Sequence, residues 1–133
     1  MKGFSRKLEL RIDWGELDAF GHVNNLSIMK YVQAARIVCL DAVGLMLSQS
    51  REGIGPILAS INCQFRKPLF YPGLVTVYSK VEQIRNTSFK IQYEIYNDKN
   101  EMAAEAKDII VLFDFKRQTK IAISENLRKR LTG

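Results

Sequence analysis

LSIMKYVQAARIVCLDAVGLMLSQ, residues 26–49, contains no proline, and at about 1.5 Å per residue it predicts a helix of roughly 30 Å from Leu26 to Leu47. Its apolar side chains are not confined to one stripe. Ile28, Met29, Tyr31, Val32, Ala34, Ala35, Ile37, Val38, Leu40, Val43, Leu45 and Leu47 cover most of the circumference. A helix apolar nearly all round has to be buried nearly all round, so the rest of the chain must wrap it.

The flanking sequence supplies the wrapping material. From Lys7 to Trp14 the residues alternate, with Leu8, Leu10, Ile12 and Trp14 on one side and Lys7, Glu9, Arg11 and Asp13 on the other, the pattern of a half-buried strand. After the helix the period changes to two. Ile57, Ala59, Ile61, Cys63 and Phe65 alternate with Leu58, Ser60, Asn62, Gln64 and Arg66 up to Pro68. GLVTVYSKVEQI, after Pro72-Gly73, reads as a further strand, and TSFKIQYEIYND as another with Phe89, Ile91, Tyr93 and Ile95 facing inward. NDKN is a hairpin turn signal, and a last long strand runs from Met102 to about Phe115. Ala103, Ile109, Val111, Phe113 and Phe115 are read as its inner face, and Ser124 as the N-cap of a short terminal helix.

These elements make an α+β domain, residues 1–133, in which a five-stranded antiparallel sheet curls around one long central helix. One sheet cannot cover a helix that is apolar on all sides. The uncovered side, or a sheet edge, is therefore expected to pair with another copy, as a homodimer or a homotetramer built as a dimer of dimers.

At 133 residues and 47% hydrophobic content the chain has the size and composition of a single soluble domain. No apolar run is long enough to span a bilayer, and MKGFSRKLEL lacks the apolar stretch of a secretory signal, so a cytoplasmic location is expected. The two cysteines, Cys39 and Cys63, lie in apolar segments with no metal-ligand spacing and read as buried free thiols. No metal site is expected, since the single histidine rules out a His–His pair and no acids cluster. The net charge of +6 suits an anionic partner. The basic residues near the carboxy terminus are not interleaved with aromatics, so a nucleic-acid platform is not indicated.

Between the first strand and the helix lies ELDAFGHVNN, residues 16–25. Asp18 would sit near the amino end of the helix, where backbone N–H groups lack intrahelical partners and stabilise negative charge. Gly21 permits a tight backbone approach. A carboxylate beside such donors is the minimum equipment for acyl transfer to water. The same residues also serve a simpler arrangement, in which Asp18 caps the turn and Asn24 or Asn25 caps the helix. The residues alone leave both open.

RIDWGELDAFGHVNNLSIMKYVQAAR, residues 11–36, resembles the signature of the hotdog-fold acyl-CoA thioesterases of the 4-hydroxybenzoyl-CoA thioesterase type. That signature is a strand, an Asp-x-x-Gly loop, often His-Val-Asn-Asn, and then the central helix. GIGPILASINCQFRKPLFYPGLVTV (53–77) and IRNTSFKIQYEI (84–95) resemble later strands of the same family. The resemblance implies the hotdog fold and hydrolysis of an acyl-CoA or an acyl-carrier-protein thioester, with coenzyme A as part of the substrate and no separate cofactor. It puts Asp18 at the position of the catalytic nucleophile or general base and gives the oxyanion role to the amide of Gly21 or its neighbours. His22 is implied as a shaper of the pocket, and Asn25 as a further site residue. Arg85, Asn86, Thr87 and Ser88 match the region that binds the nucleotide end of coenzyme A, with Lys67 and Lys90 as nearby bases. The family often has Glu where this helix has Gln33, so a charge pair with Arg36 is not available from that position. Two other classes remain: a hotdog acyl dehydratase and a non-catalytic binder of acyl thioesters. Their cheapest discriminator is thiol release from a panel of acyl-CoAs.

Overall fold

The computed structural model describes residues 3–133, so Met1 and Lys2 lie outside the described residues. The elements in chain order are β1 (Arg6–Arg11), a short 3-10 turn (Trp14–Glu16), α1 (Asn25–Ala42), α2 (Leu45–Glu52), β2 (Ile54–Phe65), β3 (Leu74–Glu82), β4 (Ser88–Tyr96), β5 (Met102–Asp114), β6 (Thr119–Lys120) and α3 (Glu125–Thr132). All strand pairs are antiparallel. The order across the sheet is β1-β3-β4-β5-β2, the five expected strands, and the two-residue β6 adds a sixth beside β5.

The core lies between α1 and the sheet. Phe89, Ile91, Tyr93 and Ile95 on β4 are all at most 1% exposed, as their alternation predicts. Burying each such side chain stabilises the fold by about 1.5–3 kcal/mol. Val75 and Val77 of β3 lie opposite Leu10 and Leu8 of β1 and extend the same surface. The NDKN turn closes with Asn97 N–H donating to Glu101 O at 3.0 Å, and Asn100 takes a left-handed φ of 64°.

The helix differs from its sequence reading in two respects. It is broken rather than continuous: Gly44 adopts φ +82°, and α1 and α2 meet at a bend of 70°. A residue in the left-handed region cannot continue an α-helix, and glycine adopts it without a Cβ penalty. The helix is also not buried all round. Ser27, Ile28, Tyr31, Val32, Ala35, Cys39 and Leu40 form the buried stripe, while Leu26, Ile37 and Val38 are exposed. One sheet covers one side of a helix, so the remaining apolar side stays open in the single chain.

Three strand assignments also change. Trp14 leaves the strand for the 3-10 turn and is 74% exposed. In β2 a bulge at Ala59 shifts the register, so Ile57 stands opposite the outward Val111 while Ile61 and Cys63 stand opposite the buried Asp108 and Ala106. Cys63, on the strand at the end of the sheet order, is only half-buried, whereas Cys39 is fully buried. In β5 the inner face is Ala104, Ala106, Asp108, Ile110 and Leu112, with Ile109, Val111 and Phe113 outward. Only Ala103 of the expected set is fully buried, at a register irregularity opposite Ile95 and Tyr96. The charge of the inward Asp108 interrupts the apolar alternation and misdirects the assignment. The inward Asp108 is tolerated because Arg36 and Tyr93 satisfy it.

Candidate active site

The segment from Glu16 to Asn24 forms a narrow hairpin. Asn24 N–H donates to Glu16 O at 2.9 Å, Leu17 and Val23 form an antiparallel bridge, and Asp18 N–H donates to His22 O at 2.7 Å. At its tip the Asp18 side chain folds back over the turn, with Oδ1 accepting from the N–H of Phe20 at 2.8 Å and of His22 at 3.2 Å. Gly21, at φ +85°, has nothing within 4 Å of where a Cβ would stand. Its requirement is therefore the left-handed turn rather than a close approach.

The amino end of α1 follows directly. Asn24 is the N-cap, its Oδ1 accepting from Ser27 N–H at 2.7 Å. Of the alternatives left open by the sequence, Asn24 therefore caps the helix and Asn25 is its first residue. Among the described residues no acceptor is recorded for the N–H of Asn25 or of Leu26. Gly21 N–H, by contrast, is engaged with Asp18 O at 3.2 Å.

Asp18, His22 and Asn25 line one cleft of about 390 Å³ together with Val23, Ile28, Phe65, Arg66, Lys67 and Pro68. His22 packs edge-on against Phe70, ring centroids 5.3 Å apart. Lys67 lies at this cleft rather than with the Arg85 group, and its Nζ pairs with Glu101 Oε2 at 2.8 Å. The cleft thus brings together apolar side chains, one carboxylate, the first residue of α1 and two basic side chains.

Arg85, Asn86, Thr87 and Ser88 lie elsewhere. Arg85, Asn86 and Thr87 occupy the β3–β4 connection and Ser88 opens β4, whose nine residues, at about 3.3 Å each, run from there toward the end of the sheet that holds the NDKN turn. Val23 N–H bonds to Leu69 O, so the Asp18 hairpin is tied to the chain leading into β3, again at the far end. Within one chain the two groups do not meet. The connection is pinned by its backbone: Leu112 N–H donates to Thr87 O at 2.9 Å, Ile123 N–H to Asn86 O at 2.8 Å, and Arg128 Nη2 to Arg85 O at 2.9 Å. Arg85 and Ser88 line a separate recess of about 240 Å³ with Gln83, Phe89, Lys90 and Ile109.

Two groups beside the hairpin were not identified from sequence. Glu16 and Tyr31 are joined by a 2.6 Å hydrogen bond from the Tyr31 hydroxyl to Glu16 Oε1. The signal available was weak: a tyrosine on the inner stripe of the helix, whose hydroxyl needs a partner once buried.

A curled antiparallel sheet packed against a central helix is the hotdog fold, found among thioester hydrolases. Residues 12–131 match the model of the thioesterase-like superfamily, and the chain belongs to that superfamily. It is similar to the long-chain acyl-CoA thioesterase FadM of Escherichia coli K12, at 24% identity over 124 residues, 92% of this chain and 94% of that protein. Among solved structures it resembles a predicted thioesterase from Bacillus stearothermophilus, with a TM-score of 0.86 at 25% identity, covering 95% of this chain and 92% of that one. It also shares its fold with a DHNA-CoA thioesterase from Staphylococcus aureus, with a TM-score of 0.79 at 22% identity, covering 87% and 78%.

Proposed function

We propose that this chain hydrolyses acyl-CoA to the free acid and coenzyme A, with Asp18 as the nucleophile or general base. The observation that carries this reading is the Asp18 carboxylate, held by the N–H groups of Phe20 and His22, in one cleft with Asn25, the first residue of α1. The coenzyme A part of the reading is supported by the names of FadM and of the S. aureus enzyme.

With the thioester carbonyl carbon near Asp18 and its oxygen toward α1, attack by Asp18 or by a water it deprotonates produces a tetrahedral oxyanion. The N–H groups of Asn25 and Leu26 receive that charge, assisted by the partial positive charge of the helix end. They suit the role better than Gly21 N–H, which is already bonded within the turn. Collapse breaks the C–S bond and releases the thiolate: on the general-base route the free acid forms directly and the proton Asp18 took from water passes to the thiolate, whereas on the nucleophilic route an acyl anhydride on Asp18 remains, which a water hydrolyses to the free acid, restoring the Asp18 carboxylate and supplying the thiol proton. His22, against Phe70, walls the cleft.

The reading includes a second copy. Leu26, Ile37 and Val38 present an uncovered apolar side of α1, and the separation of Asp18 from Arg85 within one chain supports a site completed by the Arg85–Ser88 segment of a partner. Sedimentation of the purified protein as a monomer would remove that element.

Asp18→Asn tests the chemistry. Asn keeps the shape and caps a turn about as well as Asp, so the fold and substrate binding should persist. Turnover should fall by at least ~10²-fold, the scale at which positioned acid–base groups contribute. Activity within about threefold of the parent on both acyl-CoA and acyl-carrier-protein substrates rejects the mechanism.

A further inference from the structure

Glu16 joins three parts of the molecule. Its Oε1 accepts from the Tyr31 hydroxyl at 2.6 Å and from Asp13 N–H at 2.9 Å, and its Oε2 stands 3.9 Å from Lys30 Nζ. Its main-chain carbonyl accepts from Asn24 N–H and so closes the base of the hairpin that carries Asp18. Tyr31 is 3% exposed on the inner stripe of α1, so the point of attachment is rigid. Neither side chain lines the Asp18 cleft, and both lie outside the chemistry described above.

We propose that Tyr31 and Glu16 are positioning residues that fix the Asp18 hairpin against the amino end of α1. This inference rests on the reading of Asp18 as the catalytic carboxylate. The hairpin places the carboxylate and α1 supplies the oxyanion donors, so catalysis depends on the distance between two elements joined by the exposed turn. The Asn24 cap fixes where α1 begins. The Tyr31–Glu16 bond ties the opposite strand of the hairpin to the second turn of the helix and prevents the tip from swinging. The phenol is suited to this, because burial, and after it the hydrogen bond and charge of Glu16, push its ionisation far above the ordinary tyrosine value. It therefore remains a donor across any pH at which hydrolysis is assayed.

The test is steady-state hydrolysis of a panel of acyl-CoAs by Tyr31→Phe, Glu16→Gln and Glu16→Ala, each also made in the Asp18→Asn background. Tyr31→Phe removes one oxygen from a buried ring and keeps its packing. It should lower kcat by about tenfold with KM nearly unchanged, because a displacement of about 1 Å at a reacting centre costs up to ~10²-fold. Glu16→Gln retains an acceptor for both donors and should stay within about threefold of the parent, while Glu16→Ala should match or exceed the loss in Tyr31→Phe. In the Asp18→Asn background Tyr31→Phe should add no further loss, since a residue acting through Asp18 has nothing left to position. Multiplicative losses in that background, or a kcat for Tyr31→Phe within twofold of the parent, overturn the proposal. An unchanged Asp18→Asn enzyme would instead overturn the catalytic reading, whatever the Tyr31 variants do. Melting temperatures measured alongside separate the two kinds of damage: a loss of activity that tracks Tm across all three single variants is structural and also overturns it.

Discussion

Arg36 Nε of α1 lies 2.6 Å from Asp108 Oδ2 of β5, and Asp108 is wholly shielded from solvent. The same oxygen accepts from the Tyr93 hydroxyl at 2.6 Å. Burial works against the Arg36 charge, but the hydrogen bond and charge of Asp108 outweigh it and hold the guanidinium above its ordinary value. Removing one partner leaves a buried charge uncompensated. Asp108→Ala is therefore expected to destabilise the fold by about 3–5 kcal/mol, read from urea unfolding. Arg36→Met combined with Asp108→Leu should recover much of that loss, and a double variant no better than the single one would show that the pair is not what the space requires.

Gly44 sets the angle between α1 and α2. Its φ of +82° disfavours any side chain, and a Cβ there would meet Arg130 Nη1 at 2.6 Å while that atom donates to Val43 O. Gly44→Ala should cost about 1–2 kcal/mol from the left-handed backbone alone. Breaking the Arg130 contact would add to it. A melting temperature equal to the parent's would mean that the hinge relaxes freely.

Legibility in the sequence followed how local each signal was. β4 could be read residue by residue because Phe89, Ile91, Tyr93 and Ile95 alternate without interruption and no charge competes with them. β5 could not, because Asp108 occupies an inward position and is acceptable only in the presence of Arg36, 72 residues away in the chain. The bulge at Ala59 has no composition of its own. Gly44 was visible, but a single glycine in an apolar run reads equally as an interior residue. That Asp18, His22 and Asn25 line one cleft is legible because one loop carries them, whereas charge alone, which carries no information on place, groups Lys67 with Arg85. The Glu16–Tyr31 bond was missed for the same reason as Asp108, since it joins residues on different elements.

Lys67 and Glu101 give a pH signature at the rim of the cleft. The hydrogen bond from Lys67, then that from Asn97, holds the Glu101 carboxyl below the usual carboxylate range. A group depressed in the folded state contributes stability above its unfolded value and loses it as pH falls through the folded value. Lys67→Ala should therefore raise the Glu101 midpoint, followed by carboxyl-carbon NMR, toward the ordinary value near ~4.3. Any accompanying loss of stability should vanish on the acid side of the folded midpoint. A midpoint unmoved by Lys67→Ala would mean that the pair is not held in solution.

Arg85 carries the prediction about coenzyme A. The side chain is exposed, and among the described residues no carboxylate lies within ion-pair distance of it. Its backbone is held firmly, Arg85 N–H donating to Ser88 O at 2.7 Å. A guanidinium free of internal partners on a fixed backbone suits a phosphate by charge and by its forked geometry. If it grips the nucleotide end of the substrate in both ground and transition states, Arg85→Ala should raise KM by about tenfold, the low end of a charge-assisted hydrogen bond, and leave kcat nearly unchanged. The difference between parent and variant should shrink as salt is added, because an exposed charge pair is screened within about 10 Å at 0.1 M ionic strength. A thioester of truncated pantetheine, which lacks the nucleotide phosphates, should be hydrolysed with the same KM by both proteins. Equal KM values for the full and truncated thioesters in the parent enzyme would show that the phosphates are not recognised, and would leave Arg85 as a solvated charge at a strand end.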